Sequence, residues 1–374
     1  MAKTPVYLDY NASGVMQPAV ANLMQALLIV PGNASSIHGF GRDARRHIEK
    51  AREQVAALAG THPNYVTFTS GATEANNAVL KHFNDRVIFV SAIEHPSVLE
   101  SASQAKKIPV TPEGLIDMTA FDEMLARETP ALISVMLVNN ETGVIQPVAE
   151  LAKRARLKHP HVFFHCDAVQ AAGKIPFELA ALGVDYLSLS AHKMGGPQGA
   201  GALLCAPGSE AVPFLHGGGQ EKRQRAGTEN VAAIAGFGLA CEIALAGLVA
   251  FQELTTLRDG LEKKLKAAAP EIVIFGENAP RVANTSNIGL PGIAANTQLM
   301  NLDIEGIAVS SGSACSSGTV KPSHVLEAMR VGPQLASSGL RVSMGWGTNP
   351  DDINRLAEAW LTMYSRVADK ITKA

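Results

Sequence analysis

The stretch VFFHCDAVQAAGKIPFELAALGVDYLSLSAHK, residues 162–193, decides the fold. It begins with the apolar run 162–166 and returns to another at 186–190, each the length of a buried strand, with room between them for one helical crossover. A strand, a crossover and a second strand form a parallel pair whose carboxyl ends meet at the same sheet edge. The first run closes in Asp167, with Gln170 soon after, and the second in Ser190-Ala191-His192-Lys193. An acid and an amine are therefore predicted to face a common crevice.

The same texture extends on both sides. Strand candidates at 65–69, 87–91, 132–138 and 202–205 alternate with helical stretches, which predicts an α/β class with a sheet covered on both faces. Residues 42–59 place Ala44, Ile48, Ala51, Val55 and Ala59 on one helical face, and Gly60 follows as a stop. Near residue 250 the pattern changes: amphipathic helices near 252–268 and 351–369 frame short strands at 272–275 and 340–343. The division predicted is a large domain over 12–249, with 1–11 and 250–374 forming a smaller α+β domain. Asn349, Pro350 and two aspartates make a well-formed start for the last helix.

In an open α/β sheet, ligands bind beyond the carboxyl ends of the strands, so the loops after them carry the chemistry. After strand 65–69 comes Ser70-Gly71-Ala72-Thr73, a glycine turn opening a helix whose free N–H groups suit a phosphate. Strand 87–91 runs into Glu94-His95, and strand 132–138 into Asn139-Asn140-Glu141. Taken singly, each is an ordinary cap or surface loop. Gathered at one edge with Asp167 and Lys193, they call for a phosphate-bearing aromatic cofactor linked to a lysine. Pyridoxal 5′-phosphate meets that description, since it bonds a lysine amine and works as an electron sink with a carboxylate at its ring nitrogen. Lys193 and Asp167 take those two parts. His95 is the flat partner for the ring and a proton carrier, Asn140 and Gln170 reach the ring hydroxyl, and Thr73, Ser190 and His192 donate to the phosphate.

The composition excludes other classes. With 32 basic and 34 acidic side chains and a net charge of -2, neither nucleic acid nor an anionic membrane is an expected partner. The apolar run 231–251 contains Glu242 and reads as a buried or dimer-facing helix. The opening residues lack an apolar or Arg-rich leader, which makes a cytoplasmic address the expectation. Cys166, Cys205, Cys241 and Cys315 show no CxxC spacing, which argues against zinc and a disulfide framework.

Together SGATEANN (70–77), EH (94–95), NNETG (139–143), DAVQ (167–170), SAHK (190–193), RAGTEN (225–230) and SSGSACSSG (310–318) make the chain resemble a NifS-like cysteine desulfurase of the aminotransferase class V family. The resemblance runs nearly the whole length. It implies a pyridoxal-phosphate enzyme of fold-type I, a homodimer that converts L-cysteine to L-alanine. It also implies that Thr228 reaches the phosphate of the partner subunit and that Arg341, with Asn140, binds the substrate carboxylate. Cys315 sits among glycines and serines, as expected of a mobile loop, and takes the sulfur as a persulfide for an acceptor or scaffold protein such as an iron–sulfur cluster assembly factor. The opening LDYNASG at 8–14 departs from the Ala-Thr-Thr-Pro common in relatives. Other class V activities stay open at this stage: a transaminase, or a lyase for selenocysteine or cysteine sulfinate. So does an idle structural partner of sulfur carriers.

Overall fold

The structure, a computed structural model, describes residues 4–312 and 323–371. Its larger sheet is seven-stranded and orders Val66–Thr69, Gly201–Cys205, Tyr186–Ser190, Phe163–Asp167, Leu132–Ser134, Ile88–Ser91 and Lys106–Ile108 from edge to edge. All run parallel except Gly201–Cys205, which is antiparallel to both neighbours. The predicted pair is in register, with Cys166 opposite Leu187 and Asp167 opposite Ser188. Every residue of Val66–Thr69, Ile88–Ser91, Leu132–Ser134 and Tyr186–Ser190 is buried, as helices on both faces require.

Two predicted elements differ in extent. The strand expected over 132–138 ends its ladder at Ser134, yet the N–H groups of Val135 and Leu137 still donate to the carbonyls of His165 and Asp167, carrying the chain along the sheet to its turn. The apolar run 231–251 divides at Gly247 into the helices Val231–Ala246 and Leu248–Gln252, with Leu254–Ala268 beyond. Val231–Ala246 packs between Pro18–Leu28 and Gly39–Leu58, which explains why it is apolar on nearly every face, the exposed Glu242 aside. Among the described residues no single helix is long and apolar enough to cross a membrane; one pair, bent by 66°, passes on length and composition only.

A second core gathers Val6 and Leu8 with Leu261, Ile288, Leu302, Val342 and Trp360. It packs a four-stranded antiparallel sheet, in which Thr285–Gly289 pairs with Leu340–Ser343, against the long helix Pro350–Ile371. The N-terminal strand Val6–Tyr7 joins this core by pairing with Ile307–Ala308. From there the chain passes through Asp9–Ser13 into the large sheet's territory, so this linker lies where the two cores meet.

Candidate active site

The strand ends of the large sheet open into a cavity of about 970 Å3. Ala72, Thr73, His95, Asn140, Asp167, Gln170, Ser190, His192, Lys193 and Arg341 all line it. Thr228 does not: it is exposed, in a neighbouring recess with Arg225 and Glu229. Cys315 lies outside the described residues.

Lys193 follows directly from the strand Tyr186–Ser190, on a single turn of 3-10 helix. Its Nζ donates to the carbonyl oxygens of Asn11 and Ala12, both at 2.7 Å. Burial, and then the nearby Arg341 guanidinium, lower its pKa from the usual 10.5 to about 8. An amine so held is free of its proton, and nucleophilic, much nearer neutrality than a surface lysine.

Asp167 ends its strand with both carboxylate oxygens engaged. Asn76 Nδ2 donates to Oδ2 at 2.8 Å and the Val169 N–H to Oδ1 at 3.0 Å. These bonds fix the carboxylate against the cavity floor. Asn76 stands on the helix Ala72–His82, whose N-terminus has no side-chain cap and turns its first residues to the cavity. Those first N–H groups are unpaired by helix geometry and carry the positive end of the dipole, which makes an anion site. The helix can start this close to the sheet because Gly201 is a glycine; a Cβ there would lie 2.6 Å from Gly71 Cα.

His95 presents its ring to the cavity. Its Nδ1 accepts from the Ser97 N–H at 3.1 Å and lies 2.8 Å from Ser97 Oγ, which leaves the neutral ring's proton on Nε2. Desolvation holds its pKa below the ordinary value against the pull of Asp167, while burial and the adjacent Lys193 lower His192 to about 4. Both rings are neutral at pH 7. The Gln170 side chain is already in use, donating to the Asn11 carbonyl at 3.0 Å and accepting from Lys174 Nζ at 2.6 Å.

Arg341 enters from the smaller sheet. It is buried, with Nη2 donating to Asp9 Oδ1 at 2.7 Å and Nη1 to the Asn140 carbonyl at 3.1 Å; among the described residues its Nε has no partner. The guanidinium expected to be open for a substrate carboxylate is thus partly engaged, with donors still to offer.

Sequence reasoning missed Asn11 and Lys174. Asn11 is buried where the cores meet: its Nδ2 donates to Thr285 Oγ1 and the Asn140 carbonyl, and its Oδ1 accepts from Lys174 Nζ at 2.7 Å. Lys174 is buried too, its pKa pushed well below the usual lysine range by desolvation. The only signal for Asn11 was the unusual LDYNASG segment; a lysine after a glycine, like Lys174, gives none. Among the described residues, no group of three or more His, Cys, Asp or Glu side chains is gathered to hold a metal ion.

A lysine of lowered pKa thus stands beside an anchored carboxylate and a helix N-terminus suited to an anion, all at the strand ends of a mainly parallel sheet. The aminotransferase class-V family model matches residues 6–356, and the chain belongs to that family. It is 39% identical to the cysteine desulfurase IscS of Dictyoglomus turgidum, over 99% of this chain and 96% of that protein. It is 40% identical to a cysteine desulfurase of Klebsiella pneumoniae, over 93% and 90% of the two chains. Its fold superposes on a NifS-like protein from Rickettsia africae with a TM-score of 0.90 at 38% identity, covering 97% of this chain and 100% of the other. The architecture is the α/β fold-type I of those proteins, and the chain is an enzyme.

Proposed function

We propose that this enzyme is a cysteine desulfurase that binds pyridoxal 5′-phosphate at Lys193 and acts as a homodimer. One observation carries the reading: the lowered Lys193 amine shares its cavity with Asp167, an uncapped helix N-terminus and Arg341. These residues fit the cofactor by their chemistry, with an amine for its aldehyde, a fixed carboxylate for its ring nitrogen and free N–H groups with Thr73, Ser190 and His192 for its phosphate. Relatives named cysteine desulfurase, matched over almost their whole length, support the choice of substrate.

When bound, pyridoxal phosphate supplies an electron sink for bonds at the substrate α-carbon. The chain's residues do the rest. Arg341 binds the cysteine carboxylate through donors not used by Asp9 and Asn140. Lys193 Nζ, whose pKa is lowered to about 8, holds and moves the α-proton, with His95 Nε2 as the second proton carrier. The Cys315 thiolate then attacks the substrate sulfur: an S–S bond forms as the Cβ–S bond breaks, the electron pair left on carbon takes a proton, and alanine leaves. The persulfide on Cys315 passes to an acceptor protein.

Self-association is supported by the surface. Leu28, Ile29, Val30, Ile37 and Phe40 are large apolar side chains exposed within a short stretch, a patch of the kind a second subunit covers. The decisive assay incubates the enzyme with cofactor and cysteine. Alanine with persulfide or sulfide, and no amino transfer to a keto acid, is the expected result; amino transfer without sulfur release would replace the reading with a transaminase.

A further inference from the structure

Residues 312 and 323 flank the stretch that includes Cys315, and both meet one carboxyl group. Ser323 Oγ donates to Glu141 Oε2 at 2.5 Å, and the same Oγ accepts from the Leu326 N–H to cap the helix His324–Ala328. On the other side, a Cβ placed on Gly312 would collide with Glu141 Oε2 and fall 3.6 Å from Ser323 Cβ. A side chain at 312 would require the Glu141 carboxyl to move. Glu141 and Ser323 are both buried.

Glu141 belongs to the turn that also carries Asn140. Its N–H donates to Asn139 Oδ1 at 2.9 Å, and its carbonyl accepts from Asn287 Nδ2 at 3.3 Å. One residue earlier, the Asn140 carbonyl accepts from Arg341 and Asn11. The turn is thus pinned to the cavity wall by one residue and, by the next, bonded to Ser323 after the Cys315 stretch and packed against Gly312 before it. His324 adds a tie in the same direction, its Nε2 lying 2.9 Å from the Glu94 carbonyl beside His95.

We propose that Glu141 is a positioning residue for sulfur transfer: its carboxyl group is bonded to Ser323 and packed against Gly312, and so holds the residues before and after the Cys315 stretch beside the Asn140 turn. The proposal rests on the reading of Cys315 as the sulfur acceptor. Desolvation raises the Glu141 pKa to about 7 against the opposing effects of the Ser323 hydroxyl and the Arg341 charge.

The test separates the two halves of the reaction in the cofactor-loaded enzyme. Exchange of the cysteine α-hydrogen with deuterated solvent reports binding and proton movement, and persulfide on Cys315 reports transfer. Glu141→Ala and Ser323→Ala should each keep exchange within about twofold of the parent while slowing persulfide formation about tenfold, the worth of a buried hydrogen bond to a carboxylate. Ser323→Thr, which keeps a hydroxyl, should recover most of the loss. A readout independent of turnover is the alkylation rate of the Cys315 thiol, followed by peptide mass spectrometry, which both alanine variants should shift and Ser323→Thr should not. Persulfide formation and alkylation unchanged in Glu141→Ala and Ser323→Ala would overturn the proposal, as would exchange and transfer falling together. Cys315→Ser tests the underlying reading separately: full sulfur release in that variant overturns the role of Cys315 itself.

Discussion

Arg341 Nη2 lies 2.7 Å from Asp9 Oδ1, so the guanidinium on the cavity wall is already paired with a carboxylate of the same chain. A buried arginine needs such a partner, because an unpaired charge away from water is strongly destabilising. The pairing also makes Asp9 a competitor of any carboxylate that enters.

Removing the competitor should have opposite effects on affinity and stability. Asp9→Asn is expected to tighten cysteine binding at least about threefold, measured as KM or by titration, while lowering the melting temperature. Arg341→Ala should raise KM by at least about tenfold with a smaller change in kcat. A rise in KM for Asp9→Asn would mean that Asp9 orients the guanidinium for substrate instead of competing with it.

Lys193 sets a pH dependence whose sign is fixed. Its pKa is lowered to about 8, so the reactive neutral amine grows as pH rises through that value and is already abundant far below the ordinary 10.5. In the cofactor-free chain, the rate of Lys193 modification by an aldehyde or a trinitrophenyl reagent, followed by peptide mass spectrometry, should rise with a midpoint near pH 8. Arg341→Gln removes a charge that lowers this pKa and should move the midpoint upward.

Asn11 joins the two cores, and its amide oxygen is one of two acceptors for the buried Lys174 amine. Asn11→Ala should destabilise the chain by about 2–3 kcal/mol in denaturant unfolding, because buried donors lose their partners. Lys174→Met in the Asn11→Ala background should restore part of that loss, since it removes a buried amine left with the Gln170 oxygen alone.

The exposed apolar stretch makes a separate prediction. Ile37→Asp together with Phe40→Asp should weaken self-association by about a hundredfold or more in sedimentation equilibrium, as loss of central apolar anchors does. If Thr228 serves the partner subunit, the resulting monomer should also release its cofactor faster. A monomeric parent protein would remove the basis for this reading of Thr228.

The outline of the site was legible in the sequence because parallel strands joined by crossovers send their carboxyl ends to one edge. The loops after successive apolar runs carry Thr73, His95, Asn140, Asp167 and Lys193, so the order of residues alone predicts that these side chains gather. The remainder is decided by tertiary packing. Lys106–Ile108 escapes a reading of the sequence because an edge strand with two exposed lysines lacks the apolar run that marks the others. Lys174 looks like a solvated lysine, and only the approach of Asn11 from the N-terminal linker buries it. Arg341 stands out through the resemblance alone, since its pairing with Asp9 spans almost the whole chain.

The central claim is that the Lys193 amine is the covalent anchor of the cofactor. Borohydride reduction of the chain loaded with pyridoxal phosphate, followed by peptide mapping, tests it most directly. The prediction is a single pyridoxyl adduct on Lys193 that is absent when cysteine is present in excess at the moment of reduction. An adduct on Lys174, or none on Lys193 in a protein that still turns cysteine into alanine, would contradict the account.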